Sequence, residues 1–145
     1  MNPENFQKLE IVRLTPDAKL PTRAHHDDAG LDLYGLEDFI LEPGQSKIAK
    51  TGIAMKLEKG MVGLVADRSS MGKRGIKTAG GVIDAGYRGE IGVILMNLSP
   101  ETFTIRKHDR IAQLLILPIA TPEPVEVETL EESKRGLGGF GSTGK

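Results

Sequence analysis

The chain has 145 residues, enough for one domain with its own hydrophobic core. Lysine plus arginine number 19 and aspartate plus glutamate 20, and the resulting net charge of −1 argues against bulk attraction to nucleic acid. There are no cysteines, which excludes disulfides and thiolate metal sites.

The N-terminal MNPENFQKLE has no apolar signal-peptide core. The longest apolar run, Leu114 to Leu117, stops at Pro118, far short of a bilayer span. The expectation is a soluble, cytoplasmic protein that engages neither membrane nor nucleic acid. In chain order, IVRL, KIAKTGIAMKL, MVGLVAD, EIGVILMNL, TFTI and RIAQLLILPI read as strands, several of them alternating apolar and polar residues. The turn signals EPGQ, EKG, DAGYRG and NLSPE separate them. No segment carries a helical apolar stripe, and SSMGKRG offers at most one helical turn. These features predict an all-β sandwich or barrel-like body over residues 1–120. Residues 121–145, acidic and proline-bearing and then glycine-rich, predict an arm that leaves the body.

The arm contains GFGSTGK, which has the spacing of a phosphate-binding P-loop. A P-loop needs a buried strand before it, and the preceding ETLEESKRGLG is polar and charged. Phe140, flanked by Gly138, Gly139 and Gly141, fits a ring on a strap that docks on something flat and apolar.

Four polar clusters stand where a β-fold does not require them. Asp32 interrupts the apolar alternation of AGLDLYG, as an outward-facing strand residue would. The neighbouring His25, His26, Asp27 and Asp28 suit a solvated loop, since adjacent residues on an extended chain chelate one ion poorly. DRSSMGKRGIK puts two hydroxyls and four cations in a short loop, suited either to an anion or to plain exposure. AGGVIDAGYRGEIGVILMN reads as a hairpin in which VID enters and EIGVILMN leaves, with Asp84 and Tyr87 near the turn. Asp84 there is either turn chemistry or a general base. Gln113 is polar inside the apolar run of KHDRIAQL and beyond.

Taken in order, AGLDLYG, DRSSMGKRGI, GGVIDAGYRGEIGVILMN, HDRIAQL and RGLGGFGSTG resemble the five motifs of the homotrimeric dUTPases, over about residues 21–144. The resemblance implies a distorted jelly-roll, or β-clip, fold with a flexible C-terminal arm that closes over the active site. It implies hydrolysis of dUTP to dUMP and pyrophosphate, which keeps uracil out of DNA and supplies dUMP for dTMP synthesis. Asp84 would be the general base, aiming a water at the α-phosphorus. Mg²⁺ would bind the triphosphate, with Asp32 holding it through water. Arg68, Ser69, Ser70, Gln113, Arg135, Ser142 and Thr143 would hold phosphates, with Arg68 partly structural and paired with Asp109. Gly81, Val82, Ile83 and Asp84 would read uracil through the backbone, Tyr87 would pack beneath the deoxyribose, and Phe140 would stack over the base. Three subunits would share three sites.

Motif two here has Ser69-Ser70 where Ser-Gly is frequent, with Asp67 in place of a common proline, and His108 stands where motif four often has glycine. The Ser-Ser pair also resembles the dCTP deaminases of the same fold. Those enzymes use a glutamate where this chain has Ile94, and an isoleucine cannot transfer protons. A non-catalytic nucleotide-binding regulatory module is the third reading, to be separated from the first by pyrophosphate release from dUTP.

Overall fold

Residues 8–144 are described by a computed structural model. In chain order the elements are β1 (Glu10–Arg13), β2 (Leu31–Tyr34), β3 (Phe39–Leu41), β4 (Ser46–Lys50), β5 (Ile53–Lys56), β6 (Met61–Ala66), α1 (Ser69–Lys73), β7 (Ile76–Ala79), β8 (Val82–Ile83), β9 (Gly92–Asn97), β10 (Phe103–Ile105) and β11 (Arg110–Pro118). They form a four-stranded sheet β2-β11-β6-β8, a three-stranded sheet β4-β9-β7, and the two-stranded pairs β1-β5 and β3-β10. The all-β expectation holds, and the one short helix among the described residues lies in SSMGKRG.

Gly52 explains how KIAKTGIAMKL serves two sheets. It adopts φ +72°, a left-handed backbone that glycine tolerates, and the chain breaks there into β4 and β5. β4 then pairs with β9, and β5 with β1. Other expected turns close with local hydrogen bonds: Gln45 N–H to Glu42 C=O at 3.0 Å, and Met61 N–H to Glu58 C=O at 3.1 Å. The inward residues of both larger sheets meet in a single core that includes Leu33, Leu41, Ile53, Ile76, Leu95, Ile105, Ile111 and Leu114. Asn97 is fully buried, and its side-chain amide donates to the carbonyls of Leu41 and Glu101. A buried amide is tolerable when satisfied in this way.

The predicted hairpin requires correction. VID and EIGVILMN do not pair with each other: β8 joins β6, whereas β9 joins β4 and β7. The ladder that encloses the turn is β7–β9, with Ala79 opposite Ile94. Gly80 and Gly81, at φ +64° and +94°, carry the chain out of the sheet of β7 and into the sheet of β6. Two successive left-handed residues redirect a strand in a way that apolar alternation does not reveal.

His108 also adopts a left-handed backbone, φ +68°, in the turn that precedes β11. Its ring Nε2 lies 2.7 Å from the Asp17 carbonyl, and its N–H donates to Gly35 C=O at 2.8 Å. These contacts offset the strain of a side chain at a position that favours glycine.

Beyond β11, residues 119–144 hold no strand or helix, and nearly all of them are exposed. No helix among the described residues is long and apolar enough to cross a membrane.

Candidate active site

Among the described residues, β8 is an edge strand, paired only with β6. Val65 N–H donates to Gly81 C=O at 2.8 Å. In an antiparallel ladder, bonded and non-bonded pairs alternate. With Gly63 opposite Ile83 and Leu64 opposite Val82, the N–H and C=O of Val82 therefore point away from β6, toward the open edge. Gly81 permits this approach: a β-carbon there would stand 2.9 Å from the Val65 carbonyl oxygen.

After β8 the chain turns at Asp84, whose carbonyl accepts from Tyr87 N–H at 3.0 Å. The Tyr87 ring lies over Gly89, and its hydroxyl donates to Glu90 C=O at 2.8 Å. A cavity of about 200 Å³ opens beside this edge. Gly81, Val82, Ile83, Asp84 and Tyr87 line it, together with Val65, Glu90, Ile91 and Gly92. Five residues to which the resemblance gives roles toward base, sugar and proton transfer thus share one cavity, with Asp84 exposed at its rim.

A second group assembles on the outer face of the four-stranded sheet. Gln113 on β11 stands between Asp32 on β2 and Ala66 on β6. The β-bulge between Arg110 and Ala112 lets Ile111 and Ala112 both turn inward. Arg110 and Gln113, three apart in sequence, thereby come to the same side as Asp32. Arg68 Nε lies 3.5 Å from Asp32 Oδ1, Arg110 Nη1 lies 3.7 Å from Asp32 Oδ2, and Arg68 Nη1 donates to Arg110 C=O at 3.1 Å. The expected Arg68–Asp109 pair does not form. Asp109 instead accepts from Arg106 N–H within its own turn, and Asp32 takes the place of Asp109 beside Arg68.

The preceding Asp67 locks this corner. Its Oδ1 accepts from Thr78 N–H at 2.6 Å and Thr78 Oγ1 at 2.7 Å, and its Oδ2 accepts from Lys77 Nζ at 2.7 Å. Burial pushes the Asp67 carboxyl up, but the bonds from Lys77 and Thr78 outweigh it and hold the carboxyl below its ordinary value. Gln113 Nε2 donates to Asp67 C=O at 2.8 Å. Ser69 and Ser70 open α1 and are exposed; Arg68, the N-cap, supplies no side-chain cap bond. Met71 and Gly72 N–H donate to Arg68 C=O, which leaves the amides of Ser69 and Ser70 for solvent or a ligand.

The third group lies on the arm. Arg135 Nε donates to Gly138 C=O at 2.7 Å, and Phe140, at φ +50°, is fully exposed. None of Arg135, Phe140, Ser142 and Thr143 lines the cavity, and neither does any of Asp32, Arg68, Ser69, Ser70 and Gln113. Beyond β6, Arg68 lies three residues past Val65, which lines the cavity. At about 3.3 Å per residue the two are roughly 10 Å apart along the chain. One chain therefore presents the predicted residues as three separate groups.

His25 to Asp28 form an exposed loop, closed by His25 N–H to Asp28 Oδ2 at 2.9 Å. Among the described residues, no group of three or more His, Cys, Asp or Glu side chains could hold a metal ion. Glu90 and Arg110 escaped sequence reasoning. Each contacts a residue far away in the chain, and the three-residue spacing of Arg110 and Gln113 would put them on opposite faces of a strand without a bulge.

An all-β body with a backbone-edged cleft and a separate arginine-rich corner defines the structural class, and comparison with known proteins narrows it. The dUTPase family profile matches residues 16–144. The chain is 48% identical over 145 residues to the deoxyuridine 5'-triphosphate nucleotidohydrolase of Mycolicibacterium gilvum, covering 94% of each protein. It is 46% identical over 140 residues to that of Clostridium tetani, covering 94% of this chain and 97% of the relative. The dUTPase of Staphylococcus bacteriophage 80alpha with dUPNHPP superposes with a TM-score of 0.90 at 34% identity, covering 96% of this chain and 99% of that one. A variant dUTPase from phage phi11 of S. aureus, whose structure reveals the coordination of a structural Mg(II) ion, gives a TM-score of 0.81 at 31% identity, covering 86% and 99%. The chain belongs to the dUTPase family, and its all-β fold is that of these enzymes.

Proposed function

We propose that the chain is a dUTP diphosphatase that releases dUMP and pyrophosphate, with the cavity beside β8 receiving uracil and deoxyribose. The observation that carries this reading is the orientation of Val82. Its outward N–H and C=O match the acceptor O4 and donor N3–H of uracil. Cytosine carries a donor and an acceptor at those positions, which would leave buried groups unpaired. Asp84, at the rim of the same cavity, accepts the proton of the attacking water, and no covalent intermediate is needed. Arg68, Ser69, Ser70 and Gln113 hold the triphosphate. The arm lays Phe140 over the base, and Arg135, Ser142 and Thr143 over the phosphates, excluding bulk water.

Asp32 suits a magnesium ion held through water. It is a partly exposed carboxylate that belongs to no group of three or more His, Cys, Asp or Glu side chains among the described residues, and magnesium gives up its water reluctantly. When bound, the metal neutralises phosphate charge and favours one triphosphate geometry. Asp32 itself is held in place by Arg68 and Arg110.

The separation of the cavity from the arginine corner supports a shared site. We infer a trimer in which one copy supplies the cavity, another the phosphate corner, and an arm closes over both, with residues 121–145 acting as that arm. An aqueous, cytoplasmic setting suits a substrate of this kind.

The test is pyrophosphate release from dUTP, dCTP, dTTP and UTP, with ammonia measured for dCTP. Turnover confined to dUTP supports the reading; equal turnover of dCTP overturns it. Mixing Asp84→Asn protein with Arg68→Ala protein should restore part of the activity that each lacks, because mixed assemblies contain some intact sites. Recovery of none refutes the shared site.

A further inference from the structure

Tyr87 is rigidly held, and the group that holds it belongs to a residue with no assigned role. Its hydroxyl donates to the main-chain carbonyl of Glu90, and its N–H donates to Asp84 C=O, so one tyrosine bridges both ends of the turn from Asp84 to Glu90. That turn contains Gly86 and Gly89 and is intrinsically soft. A β-carbon at Gly89 would stand 2.5 Å from the Tyr87 hydroxyl oxygen, so the ring lies directly on the backbone there.

The base of the turn is anchored to the β4–β5 corner. Ile91 N–H donates to Ile53 C=O at 2.8 Å, and Thr51 Oγ1 donates to Ile91 C=O at 2.5 Å. These two bonds hold residue 91. The anchor of residue 90 is its own side chain: Glu90 Oε2 accepts from Gly52 N–H at 3.0 Å. Gly52 is buried and left-handed, and a β-carbon on it would stand 2.8 Å from that of Ala18, so the corner offers this amide from a fixed position. An ionised carboxylate accepting from a backbone N–H makes a stronger bond than a neutral acceptor does.

We propose that Glu90 is a positioning residue for sugar selection: by gripping the Gly52 amide it fixes its own carbonyl, which fixes the Tyr87 ring against the space where a ribose 2′-hydroxyl would lie. The proposal rests on the reading of the cavity as a deoxyuridine site with Tyr87 under the sugar. Without the grip, the Glu90 peptide moves on its glycine neighbour, the tyrosine loses its rest, and the cavity admits the larger sugar. Base selection, set by Val82 at the other side of the cavity, should not change.

The experiment compares kcat/KM for dUTP, UTP and dCTP in the full-length protein and in Glu90→Ala, Glu90→Gln and Tyr87→Ala. Glu90→Ala should reduce the dUTP-to-UTP ratio by about tenfold or more, as expected when a supporting contact for a selective group is lost. The dUTP-to-dCTP ratio should stay within about twofold, since nothing at Val82 is touched. Glu90→Gln, which keeps an oxygen for the Gly52 amide, should restore most of the sugar discrimination. A purely structural role would lower the melting temperature and depress all three substrates together, and that result overturns the proposal. If Tyr87→Ala lowers the dUTP-to-UTP ratio but Glu90→Ala does not, the positioning role fails while the site reading stands. If Tyr87→Ala itself leaves sugar discrimination intact, the site reading fails.

Discussion

The carboxamide of Gln113 lies over the α-carbon of Gly30: a β-carbon at residue 30 would overlap Gln113 Oε1 and stand 3.0 Å from its Cδ. Gly30 thus provides room for a side chain on the neighbouring strand β11, and the Gln113 amide reaches Asp67 C=O because of it. Gly30→Ala should push Gln113 away from the arginine corner. KM for dUTP should rise about tenfold, the equivalent of one lost hydrogen bond to a charged group, with kcat little changed. Steady-state kinetics test this, and an unchanged KM would remove Gln113 from the phosphate site.

Asp84→Asn should cut kcat by about 10²–10⁴-fold, the usual worth of a positioned base, because the amide keeps the shape but cannot take a proton. Affinity for a non-hydrolysable dUTP analogue should stay within severalfold of wild type. Calorimetric titration beside kinetics separates the two effects, and full turnover by the variant would refute the base assignment.

Removing residues 135–145 should reduce dUTP turnover by at least about tenfold while the circular-dichroism spectrum of the β-body persists. The strands and the core all lie before residue 119, so the arm contributes nothing to them. Phe140→Ala should reproduce part of the loss, since base–aromatic stacking is worth about 1–3 kcal/mol. Wild-type rates in the shortened chain would dismiss the strap.

Some of this was legible in the sequence and some was not, for identifiable reasons. The strongly apolar strands β6, β9 and β11 stand where the sequence pattern put them. Asp84 and Tyr87 share a cavity because they are close in sequence and a local turn joins them. Strand partnership was illegible, because Gly80 and Gly81 redirect the chain through backbone angles that leave no mark on hydrophobic periodicity. Arg68 was expected beside Asp109 and stands beside Asp32; a bulge one residue long in β11 turned Arg110 and Gln113 onto one face and brought the Asp32 row within reach. The Glu90–Gly52 contact spans 38 residues and has no local signature at all.

Acid should loosen the arginine corner. The Asp67 carboxyl is held below its ordinary value of 3.8, so in that range the unfolded chain binds more protons than the folded one. Its stabilisation is present above the unfolded value and lost as pH falls through the folded one. Asp17 behaves likewise: the hydrogen bond from Lys107 lowers its carboxyl to about 2, so its share fades between about pH 4 and about pH 2. Asp67→Asn should cost about 1–3 kcal/mol at neutral pH by weakening the bonds from Thr78 and Lys77. The gap between variant and wild type in urea unfolding should narrow below about pH 4. A gap that widens on acidification would contradict the assignment.

Val82 presents peptide atoms to the cavity, and apart from proline, which lacks the N–H, every amino acid carries both of them. Substrate choice read in this way is insulated from the identity of the side chain that happens to occupy the position. Mutational drift at residue 82 can alter solubility or packing and leave the recognised pattern of donor and acceptor intact. What drift cannot touch without penalty is the geometry that aims those atoms, and that obligation falls on Gly81, where any added carbon meets the carbonyl of Val65.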